Sequence, residues 1–256
     1  MDVDRFDYMM RDPLHTNQKD LVFQPSIYMD NFEIIDNSMV FNIKIANKIF
    51  EFFNHRYKLF KNMYLNRKSK GFDYMLSDLF ALVNNDFKFA EVIFEPKKYL
   101  KLTNTIMYEI EKIAEHRPDV MQLVDRLNHR QNYKFINEYN YSKDTPKKHT
   151  KDELAKIKDI FLQSQPSNSE KRMDADSVII GAQLFKYCEE NQFDTIMVLD
   201  FSGLVKPASS LANVMNIPHY YEYQIHCYVK DRSMADIAKQ TWKDFFPKYK
   251  HLLTIE

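Results

Sequence analysis

The sequence predicts a mainly α protein, a helical bundle followed by a small α/β lobe. Three observations carry that prediction. Apolar residues recur at helical spacing through most of residues 1–140. Residues 141–172 turn polar, with many Lys, Asp and Ser and with Pro146 and Pro166, and read as a linker holding one short helix. Residues 173–256 then carry most of the strand-like runs, rich in Val, Ile and Tyr.

Each element has its local reason. Residues 3 to 12 form a short helix, stopped by Pro13. The chain to Asn37 is irregular, broken again at Pro25, with one strand candidate at Phe32–Ile35. A long helix is expected from about Phe41 to Arg67, because Ile45, Ile49, Phe52, Phe53, Phe60 and Tyr64 keep helical spacing. Gly71, after a basic last turn, is expected to end it. A helix over Phe72–Asn84 follows, with Met75, Leu79, Leu82 and Val83 as its stripe, and Asn84-Asn85-Asp86 is a turn. Tyr99–His116 and Pro118–Asn137 are the next two helices. The linker helix spans about Asp152–Leu162. Lys147-Lys148-His149 just before it reads as a solvated basic loop. Strands are expected at Ser177–Phe185, Thr195–Phe201 and His219–Val229, with helix from Pro207 to Met215. An amphipathic helix over Ser233–Phe246 closes the chain, with Ser233 as its N-cap.

Composition excludes several classes of function. Among 256 residues, 36 Lys plus Arg balance 36 Asp plus Glu, so no net basic charge points to nucleic acid. With 3 glycines there is no glycine-rich phosphate loop. Cys188 and Cys227 have no metal-knuckle spacing and read as reduced thiols. No apolar run is long enough to cross a membrane and no signal peptide opens the sequence, so an intracellular protein is expected.

The most informative stretch is the first twelve residues. On a helix, Asp4, Tyr8 and Asp12 share one face and Arg5 borders it. An acid, a cation, a phenol and a second acid in a row suit a metal-bound polyphosphate. The same residues also fit a solvated helix, since acids favour its N-terminus and Asp7 with Arg11 is an ordinary i,i+4 pair.

The run Asp2-Val3-Asp4-Arg5-Phe6-Asp7-Tyr8, followed by Arg11-Asp12, resembles a metal-ligand segment of the HD-domain deoxynucleoside triphosphate (dNTP) triphosphohydrolases. The closest resemblance is to the type with a sterile alpha motif, which reads Asp-Val-Asp-Lys-Trp-Asp-Tyr and then Arg-Asp. Phe53-Asn54-His55-Arg56-Tyr57-Lys58-Leu59 with Tyr64, Tyr99–Asn104, Leu127–Lys134 and Tyr223–Trp242 extend the likeness in the family's order. The first motif is specific and the others are individually weak. The resemblance implies that residues 1–140 are the C-terminal part of an HD core.

It also implies site roles. Asp4 is the metal ligand; Arg5 and Tyr8 meet the triphosphate; Asp12 reads the sugar 3′-hydroxyl; Arg56 supports Asp12 and the phosphates; Tyr64 packs on the deoxyribose and excludes a 2′-hydroxyl. Lys44 and Lys230 are weaker candidates for an allosteric nucleotide site. The family's cofactor is a divalent metal (Zn, Fe, Mn or Mg), and its localisation leans to the nucleus. Two departures stand out. Leu65 replaces a base-contacting Gln, and none of the eight His is followed by Asp, so the doublet that defines the family is missing. The expectation is a C-terminal half that is inactive alone. It either belongs to a truncated dNTP triphosphohydrolase or works as a non-catalytic partner, in a homo-oligomer or with a complementing N-terminal half.

Overall fold

The computed structural model describes residues 2–18, 21, 23–143, 148–186, 192–211 and 221–253. It is mainly α, followed by a small α/β lobe. Helix α1 (Val3–His15) begins where the Asp2 carboxylate accepts the Arg5 backbone N–H at 2.9 Å. It passes Pro13, which is buried in the last turn, instead of stopping there, and the Thr16 N–H still closes on the Asp12 carbonyl at 3.0 Å. Helix α2 (Pro25–Met29) follows. Strands β1 (Phe32–Ile35) and β2 (Ser38–Asn42) then form a hairpin. Asp36 and Asn37 turn it, both at positive φ (49° and 60°).

The single long helix expected from Phe41 to Arg67 is divided. Phe41 belongs to β2, and after a 3-10 turn α3 runs Ala46–Leu59. A π turn, Phe60–Tyr64, ends it. Helix α4 (Arg67–Leu82) then restarts, with the Asn66 side chain capping the Lys68 and Ser69 N–H groups. Gly71 therefore lies inside a helix rather than ending one. A Cβ there would stand 2.8 Å from Asn132 Nδ2 and 2.9 Å from the Tyr133 carbonyl oxygen, so glycine permits a close approach of backbones.

Short helices α5 (Asn84–Phe87), α6 (Phe89–Val92) and α7 (Pro96–Tyr99) lead to α8 (Ile106–Ala114) and α9 (Pro118–Asn128). The helices expected over Tyr99–His116 and Pro118–Asn137 are thus shorter than their apolar patterns. Arg130 at φ 54° turns the chain, and Lys134–Lys143 is a strand, β3. Helix α10 (Lys151–Gln163) has a capping box in which Thr150 and Glu153 satisfy each other's backbone N–H. Thr150→Ala is expected to lower stability by about 1 kcal/mol, read as a shift of the urea midpoint with an unchanged slope. Just before it, His149 is held by Tyr223 and by the Leu252 carbonyl at 3.0 Å, so this end of the basic run is anchored rather than solvated.

Strand β4 (Val178–Lys186), helix α11 (Gln192–Thr195) and strands β5 (Met197–Leu199), β6 (Val205–Pro207) and β7 (Tyr221–Val229) follow. Helix α12 (Ala235–Leu253) closes the described chain, and Asp231, not Ser233, caps the turn before it. The helix expected from Pro207 is one 3-10 turn, Ala208–Ser210; its remainder lies outside the described residues, as does Cys188.

Two sheets result. One has the order β1-β2-β5-β6, with β5 parallel to β2, so a late strand joins the N-terminal hairpin. The other is antiparallel, β3-β7-β4. Its central strand β7 splits its side chains by period two. Tyr223, Ile225, Cys227 and Val229 face a core with Phe161, Trp242 and Phe245 from α10 and α12. Tyr228 packs on the other side with Met75 and Tyr133. Burial raises the Cys227 thiol pKa, which keeps it protonated and unreactive. The core nearest α1 holds Met9, Phe23, Tyr28, Ile49, Phe52 and Phe53. Among the described residues no helix is long and apolar enough to cross a membrane.

Candidate functional site

Helix α1 presents three faces. Met9 and Pro13 are buried and Phe6 stacks within 5.7 Å of Phe23, Tyr28 and Phe52, which fixes the helix against α3. Val3, Met10 and Leu14 form an exposed stripe. Asp4, Tyr8 and Asp12 form the third face, and packing turns that face towards the end of α3.

There five side chains close a circuit. The Tyr64 hydroxyl donates to Asp12. The Tyr64 ring meets the Phe60 ring edge-on at 5.0 Å. The Arg56 guanidinium lies over the Phe60 face, 4.7 Å from its centroid. The Arg56 cation is close enough for its charge to be felt at Tyr8, and the Tyr8 ring meets Tyr64 at 6.3 Å. Burial raises the Tyr64 phenol pKa and the Asp12 carboxylate raises it further, so Tyr64 is a proton donor at neutral pH. Burial also raises the pKa of Tyr8, against the pull of the Arg56 and Arg5 cations. A half-buried cation, two phenols and a carboxylate offer both donors and an acceptor to one ligand.

Four of the six main site residues, Tyr8, Asp12, Arg56 and Tyr64, are thus brought together. Arg5 sits at the margin, 3.3 Å from Asp2 through Nε. Asp4 is exposed one turn before Tyr8. Asp7 pairs with Arg11, whose hydrogen bond lowers the Asp7 carboxyl pKa, so the solvated-helix reading holds for that pair. Lys44 is exposed on the turn after β2. Lys230 is engaged elsewhere, 2.6 Å from Asp78.

A catalytic divalent cation normally takes several protein ligands. Among the described residues no group of three or more His, Cys, Asp or Glu comes together to hold one. Asp4 alone does not fit such a site.

Sequence reasoning missed four long-range contacts that tie α3, the π turn and α4 to the antiparallel sheet. Tyr57 and Lys61 both bond Glu222 of β7. Arg67 forks onto Glu138 of β3, at 3.0 and 2.8 Å. Tyr74 meets His226 at 2.6 Å. Each spans 71 residues or more, and no local pattern signals it.

No family model matches the chain. It is 27% identical over 146 residues to the deoxynucleoside triphosphate triphosphohydrolase SAMHD1 homolog of Dictyostelium discoideum, covering 56% of this chain and 28% of that protein. It is 26% identical over 274 aligned positions to an HD domain-containing protein of Acanthamoeba polyphaga mimivirus, covering 96% of this chain and 56% of the viral one. Together they support kinship with the HD-domain phosphohydrolases. The chain spans 28% and 56% of the lengths of these two curated relatives. A crystal structure of a hypothetical protein from Aquifex aeolicus has the same fold, with a TM-score of 0.67 at 16% identity, covering 93% of this chain and 56% of that one.

Proposed function

We propose that this chain carries the triphosphate- and deoxyribose-gripping wall of a dNTP triphosphohydrolase of the HD-domain type. The circuit Tyr8–Arg56–Phe60–Tyr64–Asp12 carries this reading. Arg56, with Arg5 beside it, holds phosphate oxygens, and Tyr8 adds a hydroxyl donor. Asp12 accepts from the sugar 3′-hydroxyl. The Tyr64 ring lies against the deoxyribose and leaves no room for a 2′-hydroxyl.

In the parent reaction water adds to the α-phosphorus, the bond from that phosphorus to O5′ breaks, and O5′ takes a proton. Deoxynucleoside and triphosphate leave. The residues here bind and orient; none of them is placed to move that proton. Asp4 contributes one carboxylate towards a divalent metal (Zn, Fe, Mn or Mg) whose other ligands a His- and Asp-bearing segment would supply. On its own the chain binds substrate without turning it over.

A complementing role is the second reading. The exposed Val3, Met10 and Met29, with Phe6, Phe32 and Met39, line an apolar groove of about 430 Å³ on the side of α1 away from the site. Such a face favours a covering partner, a second copy or an HD-bearing half.

Equilibrium dialysis of the purified protein with dATP and with ATP tests the binding. We expect dATP to be preferred, and Arg56→Ala and Tyr64→Ala each to weaken it about tenfold or more. Equal affinity for the two nucleotides, or an Arg56→Ala variant that binds as well as its parent, sinks the reading. Triphosphate release by the protein alone, abolished by Asp4→Ala, would disprove the claim of inactivity.

A further inference from the structure

We infer that Phe60, with the π turn it opens, is a positioning residue that sets Arg56 and Tyr64 as one unit and thereby enforces preference for a 2′-deoxy nucleotide. The inference rests on the binding reading above and adds a residue and a device to it.

Arg56, Phe60 and Tyr64 stand four apart. On a regular α-helix a residue eight positions on lies about 80° further round the axis. Tyr64 would then drift off the face that carries Arg56. The π turn holds an extra residue per turn and takes back that drift. Its signature is the hydrogen bond from the Leu65 N–H to the Phe60 carbonyl, five residues back, at 2.8 Å. No residue from Phe60 to Tyr64 is fully buried, although Met63 and Tyr64 pack against the core beside α1. Single π turns are rare and often occur at functional sites.

The ring of Phe60 is held on two sides. Its face carries the Arg56 guanidinium at 4.7 Å, and the Tyr64 ring meets it at 5.0 Å. A guanidinium lying over a ring face keeps its N–H donors in its own plane, so the ring sets the direction in which they point. The contact with Phe60 also backs the Tyr64 ring, whose hydroxyl Asp12 already holds. Without Phe60 the Tyr64 ring keeps its Asp12 hydrogen bond and its edge contact with Tyr8 but loses the backing of the ring at 5.0 Å, and shifts to admit a ribose. Leucine at position 60 keeps apolar bulk and loses the π face; tyrosine keeps both.

The test has two arms on purified protein. The first needs no ligand: the Nε–H signal of Arg56 is followed by NMR. The ring current of Phe60 should shift it upfield in the parent and in Phe60→Tyr, and the shift should vanish in Phe60→Leu. The second measures dATP and ATP by equilibrium dialysis. Phe60→Leu should bind dATP about tenfold more weakly and lose most of its preference over ATP, while Phe60→Tyr stays within about twofold of the parent. Unchanged preference in Phe60→Leu, or a Phe60→Tyr variant as impaired as Phe60→Leu, overturns the inference. If the parent binds neither nucleotide, the binding reading fails and the selectivity claim falls with it. The Arg56 signal then judges the positioning alone, and an unshifted signal in the parent overturns that too.

Discussion

Gly181→Ala is expected to destabilise the protein by about 3 kcal/mol, the sum of an overpacked contact and a lost buried hydrogen bond. Gly181 lies on β4 directly opposite His226 of β7. A Cβ there would collide with the Tyr74 hydroxyl and stand 2.7 Å from His226 Nε2. Tyr74 has little room to retreat, because its ring is packed on His226 at 5.7 Å and on Tyr228 at 5.5 Å. Moving it would also break the 2.6 Å hydrogen bond between its hydroxyl and His226. Urea unfolding should show the loss as a lower midpoint with an unchanged slope. Adding Tyr74→Phe should restore part of it by removing the colliding oxygen. A single variant within about 1 kcal/mol of the parent would show that the strand shifts freely there, against this packing.

The second large effect is a loss of stability in mild acid. His226 is 1% exposed, and its Nδ1 has no hydrogen-bond partner. Burial pushes its pKa down to about 4; the Lys70 cation pushes the same way and Glu138 opposes. In the unfolded chain an ordinary histidine titrates near 6.5. Between those values the unfolded state takes a proton that the folded state refuses, so unfolding gains as pH falls from about 6.5 towards about 4. The stability that His226 contributes is fully present above the upper value and lost by the lower one. The difference amounts to about 3 kcal/mol. Unfolding free energies near neutral pH and in mild acid, for the parent and for His226→Gln, measure it. Carboxylates titrate at the acid end in both proteins, so the difference between the two profiles isolates the imidazole. Parallel profiles would remove His226 as the cause.

Legibility in the sequence followed the range of the interaction. The face Asp4-Tyr8-Asp12 and the pair Asp7–Arg11 are set within two turns of one helix, and spacing alone reveals them. Of the β1–β2 hairpin only the strand Phe32–Ile35 was read; its partner was missed because Phe41 keeps the apolar pattern of the helix that follows, and pairing across the Asp36-Asn37 turn makes it extended. Strand β3 was hidden because Phe135-Ile136-Asn137 continues an apolar pattern begun in α9; only pairing with β7 makes it extended. Gly71 was misread for the same reason. Its local signal is that of a helix end, but the backbone of Tyr133, which is what requires glycine, lies 62 residues away in the sequence.

By itself the sequence determined the mainly α class, the lobe that follows, and which acid, phenol and guanidinium side chains α1 and α3 carry. The tertiary structure decided their partners: Asp12 meets Tyr64, Arg56 meets Phe60 and Tyr8, and Asp4 stays exposed. The physical reason is that contacts across 52 residues depend on how α1 seats on α3. That seat is fixed by the rings of Phe6, Phe23, Tyr28 and Phe52 and by the phase of one π turn, none of which a local pattern encodes.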